Sequence, residues 1–393
     1  MSSTFSRRIG AGRIEGLGQS IFSVMTRLAQ QYDAVNLGQG FPDFDGPEWL
    51  VEEYARALRS GRNQYAPMQG TAALRKAIAA YQREYWSLEW DTEEEITVTA
   101  GATEALLSTV LALVNPGDEV ILFEPYYDAY IADVRLAGGT PRFVTLHAPD
   151  FRIEAQALEA AITPRTRLIL LNTPHNPTGR VFSDEELRVV AAAAMEHNLL
   201  VVSDEVYEFL TYGHARHIPF ASLQGMRERT VTVSSTGKTF GMTGWKIGYA
   251  MAAGPLTAAI RGVHQFATFA VNTPAQLAMA QALRRLSEYL PDFRVAYQGK
   301  RDLLLRELTD TGYHCIQPEG TYFTMMRIPA TVGRGDIELA EHLIREYRVA
   351  VIPPSVFYGR SNEGSFMLRL CFAKREETLT EGLRRLRSAL VAI

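Results

Sequence analysis

From about residue 95 to 255 the chain alternates between short, strongly apolar runs and longer segments of helical character. The runs are EITVTA, DEVILFEP, RLILLNTP, NLLVVSDEVY, RTVTVSS and KIGYAMA. Their apolar residues are continuous rather than alternating, the pattern of strands buried on both faces. Such strands interleaved with helices predict an α/β architecture with a mostly parallel sheet covered on both sides. One helix start is well marked. In FSDEELRVVAAAAMEH, Ser183 and Glu186 fit a capping box, and Asp184 and Glu185 suit the positive end of the helix dipole.

The last hundred residues change character. GTYFTMMRI, VAVIPP and SFMLRLCFA read as strands between the helices DIELAEHLIREY and REETLTEGLRRLRSAL, a smaller α+β unit. The expected organisation is an N-terminal arm over 1–45 that packs with this unit, a large domain over 46–290 and a C-terminal small domain over 291–393. A length of 393 residues fits two cores better than one.

A formal net charge of −4 with mixed signs argues against nucleic acid as a main partner. Cys315 and Cys371 stand far apart, without a Cys/His cluster, so neither a disulfide framework nor a metal site is expected and a reducing cytoplasm is the simplest location. No run approaches the ~18 apolar residues of a membrane span, and MSSTFSRRIGAGRIEG reads as an arm rather than a signal peptide.

In an open parallel sheet ligands sit beyond the carboxyl ends of the strands, so polar residues that close apolar runs are the candidates. Asp204 closes LLVVSD, where an ionised carboxylate needs a partner; a helix cap or a protonated heterocycle would serve, and Tyr207 follows within reach. Lys238 leaves the run TVTV into a glycine-rich loop, where burial and the second cation Lys246 would yield a neutral amine able to form an imine with an aldehyde. Ser234, Ser235, Thr236 and Lys246 suit a phosphate, as do the backbone N–H groups of Ala102 and Thr103 in TAGATEA. Asn172 and Asn176 of NTPHNPTG offer amides, and Tyr126 and Tyr127 offer aromatic faces. Arg369 interrupts an apolar strand and requires an anion, either an internal carboxylate or that of a substrate.

Taken together and in order, VNLGQGFPDFDGP, NQYAPMQG, TAGATEAL, EPYYDAY, NTPHNPTG, SDEVYE, GKTFGMTGWKIGY, VNTPAQ and LRLCFAK resemble the pyridoxal-phosphate aminotransferases of class I/II, fold type I, over nearly the whole chain. The closest likeness is to the kynurenine and methionine branch. The resemblance implies a seven-stranded, mostly parallel sheet in the large domain. It implies that Lys238 carries pyridoxal 5′-phosphate through an imine, with Asp204 on the pyridine nitrogen, Asn176 and Tyr207 on the ring's 3-oxygen, and Tyr127 stacked on the ring. Phosphate is then held by Ala102, Thr103, Ser235, Lys246 and Tyr65 from a second subunit, with Asn172 in support. Arg369, Asn176 and the Gly40 backbone bind the substrate carboxylate, and Phe22 touches the substrate.

These expectations describe a homodimeric ping-pong enzyme that moves an α-amino group from a neutral amino acid to a 2-oxo acid. Phe22 and Thr103 stand where some members carry a tryptophan or another aromatic, which leaves the donor open. Two alternatives follow from the same residues: a lyase that expels a thiol from the β-carbon, or a regulatory module that binds the cofactor without turnover.

Overall fold

The computed structural model describes residues 10–392; the first nine residues of the expected arm lie outside them. Among the described residues twelve strands occur in chain order: β1 (Val35–Asn36), β2 (Ile96–Ala100), β3 (Glu119–Glu124), β4 (Thr140–Thr145), β5 (Thr166–Asn172), β6 (Leu200–Asp204), β7 (Thr230–Ser235), β8 (Ile247–Met251), β9 (His314–Cys315), β10 (Phe323–Arg327), β11 (Val349–Ala350) and β12 (Met367–Cys371). Seven of them form one sheet in the order β2-β8-β7-β6-β5-β3-β4. Only β8 runs antiparallel to its neighbours, so the other six share a direction.

The continuous apolar runs have the expected cause. Ile121, Phe123, Ile169 and Leu171 point into one buried cluster, while Val120, Leu122, Leu168 and Leu170 point into another on the opposite face. Helices Gly101–Leu113 and Gly254–Ala267 belong to the second layer and pack on each other. The capping box at Ser183 forms as expected, with the Glu186 N–H donating to the Ser183 hydroxyl and the Glu186 carboxylate accepting from the Ser183 N–H. The apolar-run reading omitted β4, whose sequence TPRFVT contains a proline and an arginine and is largely half-exposed. Edge position explains this pattern, since β4 pairs with β3 alone.

Toward the C-terminus, β12-β10-β9 make a three-stranded antiparallel sheet. The start of the chain joins this part of the molecule. β1 pairs in parallel with β11, and the Cys371 N–H donates to the Leu37 carbonyl at 2.7 Å. VAVIPP thus supplies a two-residue strand rather than a long one, because Pro353 and Pro354 cannot continue a ladder. A second tie reaches the large sheet: the buried Glu124 carboxylate at the end of β3 accepts from the N–H groups of Gly359, Arg360 and Ser361 at 2.6–2.9 Å.

Candidate active site

The carboxyl ends of β2, β6 and β7, with the loops that follow β3 and β5, border a single cleft of about 280 Å³. Its walls include Lys238, Asp204, Tyr207, Asn172, Asn176, Tyr127, Ala102, Thr103, Ser235, Lys246, Gly40, Phe22 and Arg369. Residues separated by up to 347 positions in the chain thus meet in one place.

Lys238 lies on a four-residue helical turn, Thr236–Thr239, that begins directly where β7 ends, with the Ser235 hydroxyl accepting from the Gly237 N–H at 3.3 Å. Burial brings its amine down to about 8, against an opposing pull from the Asp204 carboxylate. Its Nζ donates to the Tyr322 hydroxyl at 3.2 Å.

Asp204 ends β6 and accepts from the Tyr130 hydroxyl at 2.7 Å and the Val206 N–H at 3.3 Å. Burial pushes its carboxyl up to about 6, while the Tyr130 and Val206 hydrogen bonds and the Lys238 ammonium work in the other direction. A cation or a protonated ring nitrogen placed against it would favour the ionised form further. The Tyr127 ring meets the Tyr130 ring edge-on at 5.6 Å, and Val206 adds an aliphatic wall. No helix follows Asp204 for it to cap; its neighbours 206–209 are turn.

Asn172 acts as a bracket. Its amide donates to the Asp204 carbonyl at 2.8 Å and accepts from the Asn176 N–H at 2.8 Å, holding two of the cleft's polar groups in register. Asn176 in turn accepts from the Arg369 guanidinium at 3.0 Å, and a second Arg369 nitrogen donates to the Gly38 carbonyl at 2.9 Å. Arg369 is 1% exposed; among the described residues its Nε has no partner and no carboxylate lies within ion-pair distance, the Asp128 carboxyl acting on it only from farther off. The rings of Phe323, Phe22 and Phe357 surround it at 4.1, 4.9 and 5.4 Å. A desolvated guanidinium in this state is a receptor for an anion.

The opposite end of the cleft is built for phosphate-like charge. Gly101 takes a left-handed φ of +75° and starts the helix Gly101–Leu113, whose N-cap Ala100 contributes no side-chain bond. The helix start therefore offers backbone N–H groups and a positive dipole end. Gly248 lets β8 approach it, since a Cβ there would stand 2.5 Å from the Ala102 nitrogen. Lys246, at φ +55°, brings its Nζ to 3.5 Å from the Thr103 hydroxyl, and Ser235 completes the rim.

Some expected donors point elsewhere. Ser234 faces the other side of β7 and donates to Glu208 at 2.7 Å, as the two-residue period of a strand requires, and Thr236 donates to the Ile247 carbonyl at 3.0 Å. Tyr126 stacks on Phe143 at 5.6 Å and stays outside the cleft. Tyr65 is 83% exposed and meets the Phe269 ring at 5.4 Å, away from this chain's own cleft.

Among the residues that the sequence does not single out are Tyr130, Phe323, Phe41 and Val206 in the cleft wall and Tyr322 beside Lys238. Tyr130 lies three positions after Tyr127, a helical spacing that carried the signal; Tyr322 and Phe323 sit in GTYFTMMRI, where nothing distinguishes a cleft residue from a core residue. Gly40 has a local reason as well: a Cβ there would lie 2.9 Å from the Phe323 ring and 4.0 Å from an Arg369 nitrogen.

Comparison with known proteins agrees with this chemistry. The family model for aminotransferase class I and II matches residues 32–386. The chain is 45% identical to methionine aminotransferase of Escherichia coli (strain K12) across 96% of this chain and 98% of that one. It is 38% identical to kynurenine–oxoglutarate transaminase of Dictyostelium discoideum, covering 92% of each. Among solved structures it is similar to N-succinyldiaminopimelate aminotransferase from Mycobacterium tuberculosis, with a TM-score of 0.94 and 42% identity over 96% of this chain and 99% of that one. A buried amine, a buried carboxylate and a guanidinium without an ion pair in a fold-wide match of this kind leave one assignment: the chain belongs to the class I and II aminotransferases, a pyridoxal-phosphate-dependent family.

Proposed function

We propose that this aminotransferase binds pyridoxal 5′-phosphate in the cleft and moves the α-amino group of a methionine-type or aromatic, kynurenine-type amino acid to a 2-oxo acid. The observation that carries this reading is Arg369, a buried guanidinium with no carboxylate of the described residues to pair with, in the same cleft as the Lys238 amine. An α-carboxylate supplies the missing anion, and Phe22, Phe41, Tyr127 and Phe323 line the cleft with apolar surface suited to a neutral side chain.

The residues fit the cofactor. The helix start at Ala102 and Thr103, with Ser235 and Lys246, would hold its phosphate; Tyr127 would cover the ring, Asn176 and Tyr207 would bond its 3-oxygen, Asp204 would face its nitrogen and Lys238 would bond its aldehyde, all of them residues that line the cleft. Bound there, pyridoxal phosphate supplies an electron sink for the pair released at the substrate Cα. Asp204 keeps the ring nitrogen protonated, which a buried carboxylate held by Tyr130 can do once a cation lies against it. Lys238, with its amine near 8, would accept the Cα proton and return it to the cofactor carbon that had carried the aldehyde, acting as a general base and then as a general acid. Arg369 and Asn176 fix the carboxylate so that the Cα–H bond faces Lys238.

The catalytic unit proposed is a cytoplasmic homodimer in which Tyr65, exposed on its own subunit, reaches the phosphate of the other. The test is direct. The parent protein mixed with pyridoxal phosphate is expected to show the absorbance of a lysine-bound cofactor, and addition of methionine to discharge it with formation of the 2-oxo acid. Lys238→Ala is expected to lose both the band and turnover; a variant that transaminates as well as the parent overturns the assignment. Pyruvate, ammonia and a thiol from a cysteine conjugate, without transfer of the amino group, would mark a lyase instead.

A further inference from the structure

We propose that Tyr322 is a positioning residue for the Lys238 amine: its hydroxyl takes one N–H of the amine and thereby turns the nitrogen lone pair into the cleft. The inference rests on Lys238 being the general base. Tyr322 donates its single hydroxyl hydrogen to the Gly40 carbonyl at 2.8 Å, so toward Lys238 Nζ at 3.2 Å its oxygen is an acceptor. A tetrahedral amine that donates one N–H along a fixed direction has its lone pair confined to a cone around that bond. One hydrogen bond therefore restricts the direction from which a proton can be accepted.

Burial and packing hold Tyr322 in one direction. It is 1% exposed and is bounded by the rings of Phe323 at 4.8 Å, Tyr207 at 5.2 Å and Tyr297 at 6.1 Å. Its carbonyl accepts from the Phe372 N–H at 3.0 Å. The residue before it, Thr321, holds a φ of +60°, which a β-branched side chain adopts only where surrounding contacts impose it. Those contacts are present: the Thr321 N–H donates to the Leu210 carbonyl and the Tyr212 hydroxyl donates to the Thr321 carbonyl. Burial also raises the Tyr322 phenol well above its ordinary range, which keeps its hydrogen on the oxygen.

Gly40 gives the contact a second consequence. The carbonyls of residues 38–41 all accept from buried side chains: Gly38 from Arg369, Gly40 from Tyr322, and Gln39 and Phe41 from Lys374. The amine and the guanidinium proposed to grip the substrate carboxylate are thus referred to the same four-residue loop. In the step served, the substrate Cα–H bond breaks, the proton passes to Nζ, and the electron pair left at Cα is the one that bound pyridoxal phosphate would take up.

Tyr322→Phe tests this, with thermal melting to show that the variant folds. In the cofactor-free protein the Lys238 amine pKa, read from the pH dependence of its acylation, should fall below the parent's, because the lost acceptor favoured the ammonium. In the holoenzyme the half-reaction with methionine should slow by about tenfold, the size of a lost hydrogen bond to a charged group. The α-deuterium isotope effect should rise and KM change little. A parental amine pKa together with a parental isotope effect overturns the proposal while leaving Lys238 as the base; turnover by Lys238→Ala overturns the underlying reading instead. Should the phenylalanine variant fail to fold, 3-fluorotyrosine at position 322 keeps the packing and weakens the acceptor, and the same two readouts decide.

Discussion

Asp204 shows how one side chain carries a stability cost for the sake of chemistry. Its carboxyl, ordinarily near 4, is raised to about 6 mainly by burial, so in the cofactor-free protein the folded state binds a proton more tightly than the unfolded chain does. A raised acid pKa leaves stability untouched below about 4, subtracts progressively as pH rises from about 4 to 6, and leaves the full cost above that. The displacement corresponds to about 3 kcal/mol at most. Asp204→Asn, which can still accept from Tyr130, is therefore expected to melt higher than the parent above pH 6 without cofactor, the difference closing as pH falls to 4. Its turnover should nevertheless drop severely, because an amide holds a ring-nitrogen proton poorly. Melting curves that run parallel at all pH values would show that the carboxylate carries no such penalty. Lys238 and Arg369 belong to the same class of residue, buried cations that feel a carboxylate, Asp204 and Asp128 respectively, but make no ion pair at contact distance among the described residues.

At the level of elements, the phosphate-binding end depends on how closely β8 approaches the helix Gly101–Leu113. Gly248 permits that approach, because any Cβ would fall 2.4–2.5 Å from the backbone of Gly101 and Ala102. Gly248→Ala must separate strand and helix, a distortion of the order of 1–3 kcal/mol by analogy with overpacked cores. Affinity for pyridoxal phosphate, measured by equilibrium dialysis, is expected to fall by about tenfold or more for a distortion of that size. Gly244→Ala is the control, since nothing lies within 4 Å of a Cβ built there. Equal affinities for the two variants would mean that the backbone of the helix start does not hold the phosphate. The pairing of β2 with β8 and of β8 with β7 is what brings Lys246 back over the same helix start.

On the scale of the whole molecule, the cleft is assembled from distant parts of the chain. Residues 39–41 enter from the N-terminal segment, Phe323 and Arg369 from the C-terminal one, and the strand ends from the large sheet. Tyr65 remains outside, exposed beside Phe269, and the proposed dimer gives it a role. A mixing experiment separates cis from trans action. Tyr65→Ala and Lys238→Ala homodimers, each impaired, should on mixed refolding regain about a quarter of parental activity, because half the dimers are mixed and each holds one intact site. No recovery would place the action of Tyr65 within its own subunit or remove it from the site.

The apolar runs that became β2, β3, β5, β6, β7 and β8, the capped helix at Ser183 and the polar residues at the strand ends were readable in the sequence because each is a local pattern. Burial on both faces of a parallel strand demands continuous apolar residues, and the end of burial marks where chemistry can begin. The half-exposed edge strand β4 and the two-residue strands β1, β9 and β11 left weaker marks, since their pairing is decided by neighbours rather than by composition. Ser234, Ser235 and Thr236 look alike in the sequence, yet only Ser235 lines the cleft, because the strand's pleat and the turn after it assign each hydroxyl its partner. Tyr322 is the clearest case of what tertiary structure alone decided. Its hydrogen bonds to Lys238 and Gly40 span 84 and 282 positions, and no periodicity records a contact between segments that meet only when the chain has folded.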